Sequence, residues 1–236
     1  MTPVQEQVEK GPRFVVAVDG PAGAGKGAVC RGVASRFAFS YLDTGSIYRG
    51  VALLSLQKNV EDAEALGRLA ANMPFEFRAM AGQGFRAFLA GEDVTATLRE
   101  ERVGRRASHV AAVPQVRAAL LTFQRRYGGE ANIILDGRDT GTVVWPDADL
   151  KLFLTASLEE RAKRRALELQ DRGETVSFDE IRDKIAERDA RDSGRAHAPL
   201  APAPDAQHVD TTFLTLDQSI ETVVALVNKL VGNRPR

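Results

Sequence analysis

Nine residues near the start, Gly20-Pro21-Ala22-Gly23-Ala24-Gly25-Lys26-Gly27-Ala28, have the types and spacing to hold phosphate groups. Gly20, Gly23 and Gly25 let backbone N–H groups curl inward with no Cβ in the way, which makes a cradle for phosphate oxygens. Lys26 completes the spacing G-x-x-x-x-G-K, from which an ammonium reaches β- and γ-phosphates. A helical pattern follows at once, and its N-terminal dipole adds to the anion site. A nucleoside triphosphate is the ligand this stretch predicts. The alternative, a glycine-rich turn that binds nothing, is disfavoured because an apolar strand-like run precedes the loop, as the motif requires. One element is missing. The usual hydroxyl after the lysine is replaced by Gly27 and then Ala28, so a Mg²⁺ ion must rely on carboxylates, water and phosphate oxygens.

Asp136-Gly137-Arg138-Asp139-Thr140-Gly141-Thr142 ends another apolar run. Asp136 is placed to hold Mg²⁺ or its waters, Arg138 to meet a phosphate, and Asp139 to accept hydrogen bonds. A polar turn with capping aspartates would read the same way. Leu42-Asp43-Thr44-Gly45-Ser46-Ile47-Tyr48-Arg49 offers a carboxylate, hydroxyls and an arginine where a sheet's carboxyl edge opens into a crevice. Later, Phe178, Ile181 and Ile185 make an apolar helical stripe whose next positions are Arg188, Asp192 and Arg195. Charges on an inward face are costly unless paired or facing a ligand. A phosphate-holding cleft would offset two arginines and an orienting carboxylate; the other reading is a helix that leaves the core for water. Arg161, Arg164 and Arg165 on the preceding helix suit a closing lid or, equally, a solvated basic face. His109, His197 and His208 have no spacing relation to one another or to Cys30, so no metal site is expected from them.

The elements that must position these groups alternate along the chain. The strands expected are Phe14–Val18, Phe39–Leu42, Asn132–Leu135, Leu150–Leu154 and Gln207–Val209, with helices between most of them. That alternation predicts an α/β fold, a parallel sheet covered on both faces. Residues 44–128 interrupt it. Within them Pro74–Arg78, Phe85–Leu89 and Glu92–Val94 read as short antiparallel strands with turns at 81–84 and 90–91, before two helices divided at Pro114. An interruption that long is expected to form a small lobe. Ser157 and Ser177, each followed three residues on by glutamate, predict two helices that start at capping boxes.

Composition narrows the class. The 236 residues, 44% apolar and 27% charged, suit an ordinary globular protein. A net charge of +0 argues against a general nucleic-acid binder or an anionic-membrane binder. The single cysteine, Cys30, excludes an internal disulfide and fits a reducing, cytoplasmic compartment; a buried position is expected for it. Residues 1–12 are polar, with no apolar core of a secretory signal, and read as a flexible tail.

These segments resemble the bacterial cytidylate kinases, a family of nucleoside monophosphate kinases. The marks are Asp19 to Gly27, Leu42 to Arg49, Asp136 to Val144, and Glu187-Arg188-Asp189-Ala190-Arg191-Asp192-Ser193-Gly194-Arg195, and the likeness runs from Phe14 to the C-terminal helix. The resemblance implies a five-stranded parallel P-loop kinase core over 13–43 and 129–232. It also implies a monophosphate-binding α+β insertion at 44–128 and a short helical lid at about 157–195. The implied reaction is ATP plus CMP or dCMP giving ADP plus CDP or dCDP, with Mg²⁺, in a monomer that needs neither nucleic acid nor membrane. Residues Gly20 to Ala28 would bind the ATP phosphates. Thr44, Arg117, Asp139 and Arg195 would surround cytosine, and Ser108, Arg188 and Asp192 would contact the ribose. Arg49, Arg138 and Arg188 would hold the acceptor phosphate or the group in transfer, so Lys26, Arg138, Arg188 and Arg195 are the catalytic candidates. Asp43 or Asp136 would hold the metal, directly or through water. The chain departs from the family pattern at Thr44, where serine is expected, and at Ala28, where many members have threonine. A kinase for another small alcohol, a nucleotide sensor and a hydrolytic switch are the rival readings.

Overall fold

The computed structural model describes residues 14–80, 84–127 and 132–232. The expected tail at 1–12 and the turn residues 81–83 lie outside the described residues. Five strands, β1 (Val15–Asp19), β2 (Ser40–Asp43), β6 (Ile133–Asp136), β7 (Leu150–Thr155) and β8 (Gln207–Asp210), form one sheet in the order β2-β6-β1-β7-β8. All four pairings are parallel, as expected. β1 and β6 are buried along their whole length, which a run such as Val-Val-Ala-Val tolerates because no side chain in it needs water.

Side chains alternate across the sheet. Val16, Val18, Ile134, Leu152 and Leu154 pack on one face with α1 (Lys26–Phe37) and α8 (Leu216–Gly232), through Val29, Val33, Val223 and Val227. Val15, Leu42, Ile133 and Leu135 face the other way. They join one apolar cluster with Ile47 and Val51 of α2 (Thr44–Lys58), Leu66 of α3 (Ala63–Ala71), Val103 of α4 (Glu101–Val110) and Leu120 of α5 (Pro114–Tyr127). Phe75 and Leu89, from the antiparallel sheet β3 (Phe75–Met80), β4 (Gly84–Leu89) and β5 (Glu92–Asp93), belong to the same cluster. Ala90 and Gly91 turn β4 into β5 with φ of 52° and 85°, two left-handed residues as a tight hairpin requires. α5 begins at Pro114, where a missing N–H costs nothing.

α6 (Leu158–Gln170) and α7 (Phe178–Ser193) build a third cluster from Ala162, Ala166, Leu169, Ile181 and Ile185. The Ser157 hydroxyl accepts the Glu160 N–H at 3.2 Å and caps α6. The second capping box does not form, because Ser177 occupies the cap position but its side chain makes no cap bond. Val176, the residue before the cap position, packs against the cluster that contains Ile181, the fourth residue of α7, which are the positions of a hydrophobic staple. Phe178, expected in the apolar stripe, is 43% exposed, so the buried stripe begins at Ile181.

Candidate active site

The carboxyl edge of the parallel sheet gathers the chemistry. Between β1 and α1 the loop turns through Gly20 (φ 147°), Gly23 (φ 78°) and Gly25 (φ 82°). A Cβ on Gly20 would lie 2.0 Å from the Leu154 carbonyl oxygen, so the loop leaves β1 pressed against β7 and only glycine fits. Lys26 is buried, and its Nζ donates to the Gly20 and Pro21 carbonyls at 2.7 and 2.8 Å. Burial, then the nearby Arg138 charge, hold its pKa well below the usual lysine range. On the outer flank of the loop a cavity of about 380 Å³ is lined by Gly25, Ala28, Val29, Arg164, Leu214 and Ser219.

Across the edge, one carboxylate organises three arginines. Asp192, 1% exposed, accepts from Arg138 Nε at 2.9 Å and from Arg195 Nη2, and Arg188 Nε lies 3.9 Å from it. The stripe expected on α7 therefore does turn inward, and Arg195 joins it from just past the helix end. Three guanidinium groups around one carboxylate leave an excess of positive charge. Burial, then the neighbouring Arg138, bring the Arg188 pKa down to about 10, and burial also lowers Arg195. The Nε atoms of Arg188 and Arg195 are buried with no hydrogen-bond partner. Arg49 donates to the Leu98 carbonyl at 2.8 Å; burial lowers its pKa, and the charges of Arg165 and Arg138 add to that.

Next to this cluster Asp139, 5% exposed, pairs with Arg117, which also donates to the Ala111 carbonyl at 3.1 Å and lies 5.5 Å from the Tyr48 ring centre. These two residues, with Tyr48, Gln124 and His197, line a cavity of about 290 Å³. Thr44 is buried and donates its hydroxyl proton to the Asp136 carbonyl at 2.8 Å, and the Ser108 hydroxyl accepts from Arg191 at 2.9 Å.

Asp43 and Asp136 are register partners at the ends of β2 and β6. Asp43 accepts from the Ser46 N–H at 3.1 Å and hydroxyl at 2.6 Å, capping α2. Asp136 accepts from the Tyr41 hydroxyl at 3.1 Å; burial, then the Asp43 charge, push its pKa up. Among the described residues no three His, Cys, Asp or Glu side chains gather as a metal cluster.

The role of Asp19 at the site was not singled out from sequence. Asp19, 3% exposed, accepts from the Thr140 N–H and hydroxyl and from the Gly141 N–H, each at 2.8 Å. It thereby fixes the segment that carries Arg138 and Asp139, against a burial cost that raises its pKa. A carboxylate ending a fully buried strand was the available signal. Arg161 is buried rather than solvated, and Arg164 donates to the Thr211 carbonyl at 2.6 Å, so these two lid arginines leave the solvated reading to Arg165, which pairs with Glu168.

Comparison with known proteins agrees with this reading. The family model described as cytidylate kinase matches residues 16–229. A cytidylate kinase of Magnetococcus marinus is 59% identical over 219 residues, 93% of this chain and 97% of that protein. One of Aeromonas hydrophila is 48% identical over 221 residues, 93% and 96% of the two chains. A crystal structure of an uncharacterized protein from Eubacterium ventriosum shares the fold, with a TM-score of 0.50 at 10% identity, covering 92% of this chain and 99% of that one. A family model matched over residues 16–229 and kinship this close over nearly the whole length place the chain in the cytidylate kinase family.

Proposed function

We propose that the protein transfers the γ-phosphoryl group of ATP to CMP or dCMP, giving ADP and CDP or dCDP. The observation that carries the site assignment is the Asp192 cluster, in which the buried Nε–H groups of Arg188 and Arg195 make no hydrogen bond, although Arg188 Nε lies in ion-pair range of Asp192. A buried donor without an acceptor is costly, and an anionic substrate oxygen removes that cost. Arg49, Arg138 and Arg188 hold the acceptor phosphate and the group in flight. The acceptor oxygen is already ionised, so in-line positioning and charge neutralisation carry the catalysis and no general base is needed.

The backbone from Gly20 to Ala28 holds the donor phosphates. Lys26, now bonded to the loop's own carbonyls, turns its ammonium to them. The cavity beside Arg164 and Leu214 takes the donor nucleoside. Asp139, held by Arg117, accepts the N4 amino group of cytosine, with Thr44 and Arg195 around the ring. Ser108, Arg188 and Asp192 reach the ribose. Asp43 and Asp136 offer adjacent hard oxygen donors whose mutual repulsion a divalent cation relieves, which fits Mg²⁺ completed by phosphate oxygens and water. That ion would neutralise charge on the donor phosphates. Residues 44–128 act as the acceptor-binding insertion, and 157–195 as the lid.

The reading is of a cytoplasmic monomer acting on free nucleotides, and Cys30, buried and free, fits that compartment. No helix among the described residues is long and apolar enough to cross a membrane. The test is product formation from ATP-Mg and a panel of nucleoside monophosphates. CDP from CMP at high efficiency is expected; nucleotide binding or hydrolysis without CDP would overturn the assignment.

A further inference from the structure

Donor and acceptor sites lie on different segments, and a reaction that joins two anions needs them to close together. One residue of the phosphate loop is held from both sides by the lid. The Ala22 N–H donates to Asp189 Oδ1 at 3.2 Å, and the Ala22 carbonyl accepts from Arg161 Nη1 at 3.0 Å. The same Arg161 nitrogen pairs with Asp189 Oδ2, and Arg161 Nε donates to the Ala156 carbonyl at 2.9 Å. Arg161 is 7% exposed, and its Cβ lies 3.1 Å from where a Cβ on Gly23 would stand. Asp189 directly follows Arg188 on α7 and precedes Asp192 by three residues, so it projects from the flank of the stripe that holds the acceptor arginines. Arg161, Asp189 and Ala22 thus form a closed hydrogen-bonded ring joining α6, α7 and the loop.

We propose that Arg161 and Asp189 are positioning residues that couple donor binding to acceptor binding, by fixing the angle of α7 to the conformation of the phosphate loop. The proposal rests on the phosphotransfer reading above and extends it. A loop set by ATP phosphates holds Ala22, Ala22 holds Asp189, and Asp189 orients the helix that presents Arg188 and Asp192. A ligand on either side then pre-orders the helix for the other, which is positive coupling and must be reciprocal.

The experiment is titration calorimetry of CMP with and without a saturating unreactive ATP analogue and Mg²⁺, together with steady-state kinetics. In the wild type the analogue should tighten CMP about 5-fold or more, within the ordinary range of coupling between sites. Asp189→Ala should leave the binary CMP affinity within about 2-fold, bring the coupling ratio close to one, and lower kcat about 10-fold or more. Asp189→Asn keeps an oxygen for the Ala22 N–H without the charge on Arg161 and should retain part of the ratio; it also serves if the alanine variant does not fold. Ser157→Ala, which removes the α6 cap without touching the ring, controls for general loosening of the lid and should keep the wild-type ratio. A wild-type ratio of one, an unchanged ratio in both Asp189 variants, or an equal fall in Ser157→Ala would overturn the proposal. Failure of the wild type to bind CMP at all would instead sink the function it rests on.

Discussion

Asp139→Asn tests how the site reads its base. Asp139 is 5% exposed and pinned by Arg117, so it meets a ligand as a desolvated, oriented carboxylate that can only accept hydrogen bonds. Cytosine turns an amino donor to it, whereas uracil turns a carbonyl oxygen, leaving two acceptors facing each other. A buried acceptor without a donor costs roughly 1–3 kcal/mol. At 1.4 kcal/mol per tenfold, that contact alone gives CMP an advantage of about 5- to 150-fold over UMP. An asparagine amide presents either its oxygen or its NH₂, so the variant should accept both bases and its preference should fall to within about 3-fold. The same change neutralises one partner of a pair whose side chains are 10% and 7% exposed, so a lower melting temperature should accompany it. The assay is kcat/KM for CMP and UMP, wild type against variant, with thermal unfolding alongside. Parity between the two substrates in the wild type, or an unchanged preference in the variant, refutes the role given to Asp139.

Lys26→Met should lose about 100-fold or more in kcat while binding CMP nearly as before, because the ammonium serves the donor side; calorimetry that shows CMP affinity collapsing would contradict this. The same variant isolates a pH effect. The Lys26 pKa is depressed from 10.5 to about 7 in the folded protein, so between those values the unfolded chain binds more protons and the lysine's contribution to stability rises with pH. The wild-type minus Lys26→Met difference in ligand-free melting temperature should therefore grow in the wild type's favour from pH 7 towards pH 10, and a flat or falling difference would count against the burial argument. Gly20→Ala combines a φ of 147° with a Cβ 2.0 Å from a backbone carbonyl and should cost about 3 kcal/mol or more; a melting temperature equal to the wild type would show the loop far more pliable than described.

Periodicity and local spacing made much of this molecule readable. Five apolar runs became five parallel strands because a doubly covered sheet tolerates uninterrupted Val, Ile and Leu. The turn of the α7 stripe from Ile185 to Arg188 and Asp192 announced a charged pocket, since helical spacing alone decides which residues share a face. What stayed hidden depends on distance along the chain. The Asp19 carboxylate meets Thr140 across 121 residues, and Arg161 meets Ala22 across 139, contacts that no local pattern encodes. At Ser177 the local signal located the helix start correctly, since α7 begins at Phe178 with Ser177 as its cap residue, although the side-chain cap bond that the pattern implies is not made.

One face of the parallel sheet buries Val15, Leu42, Ile133 and Leu135 among side chains supplied by residues 44–128. Excising that stretch to make a minimal enzyme would strip four aliphatic groups of their cover and invite clumping between copies. Swapping it between relatives to change the acceptor nucleotide is a matter of matching two halves of a single oil-filled joint. A working chimera must bring Ile47, Val51 and Leu120, or equivalents of the same bulk, along with whichever groups recognise the base.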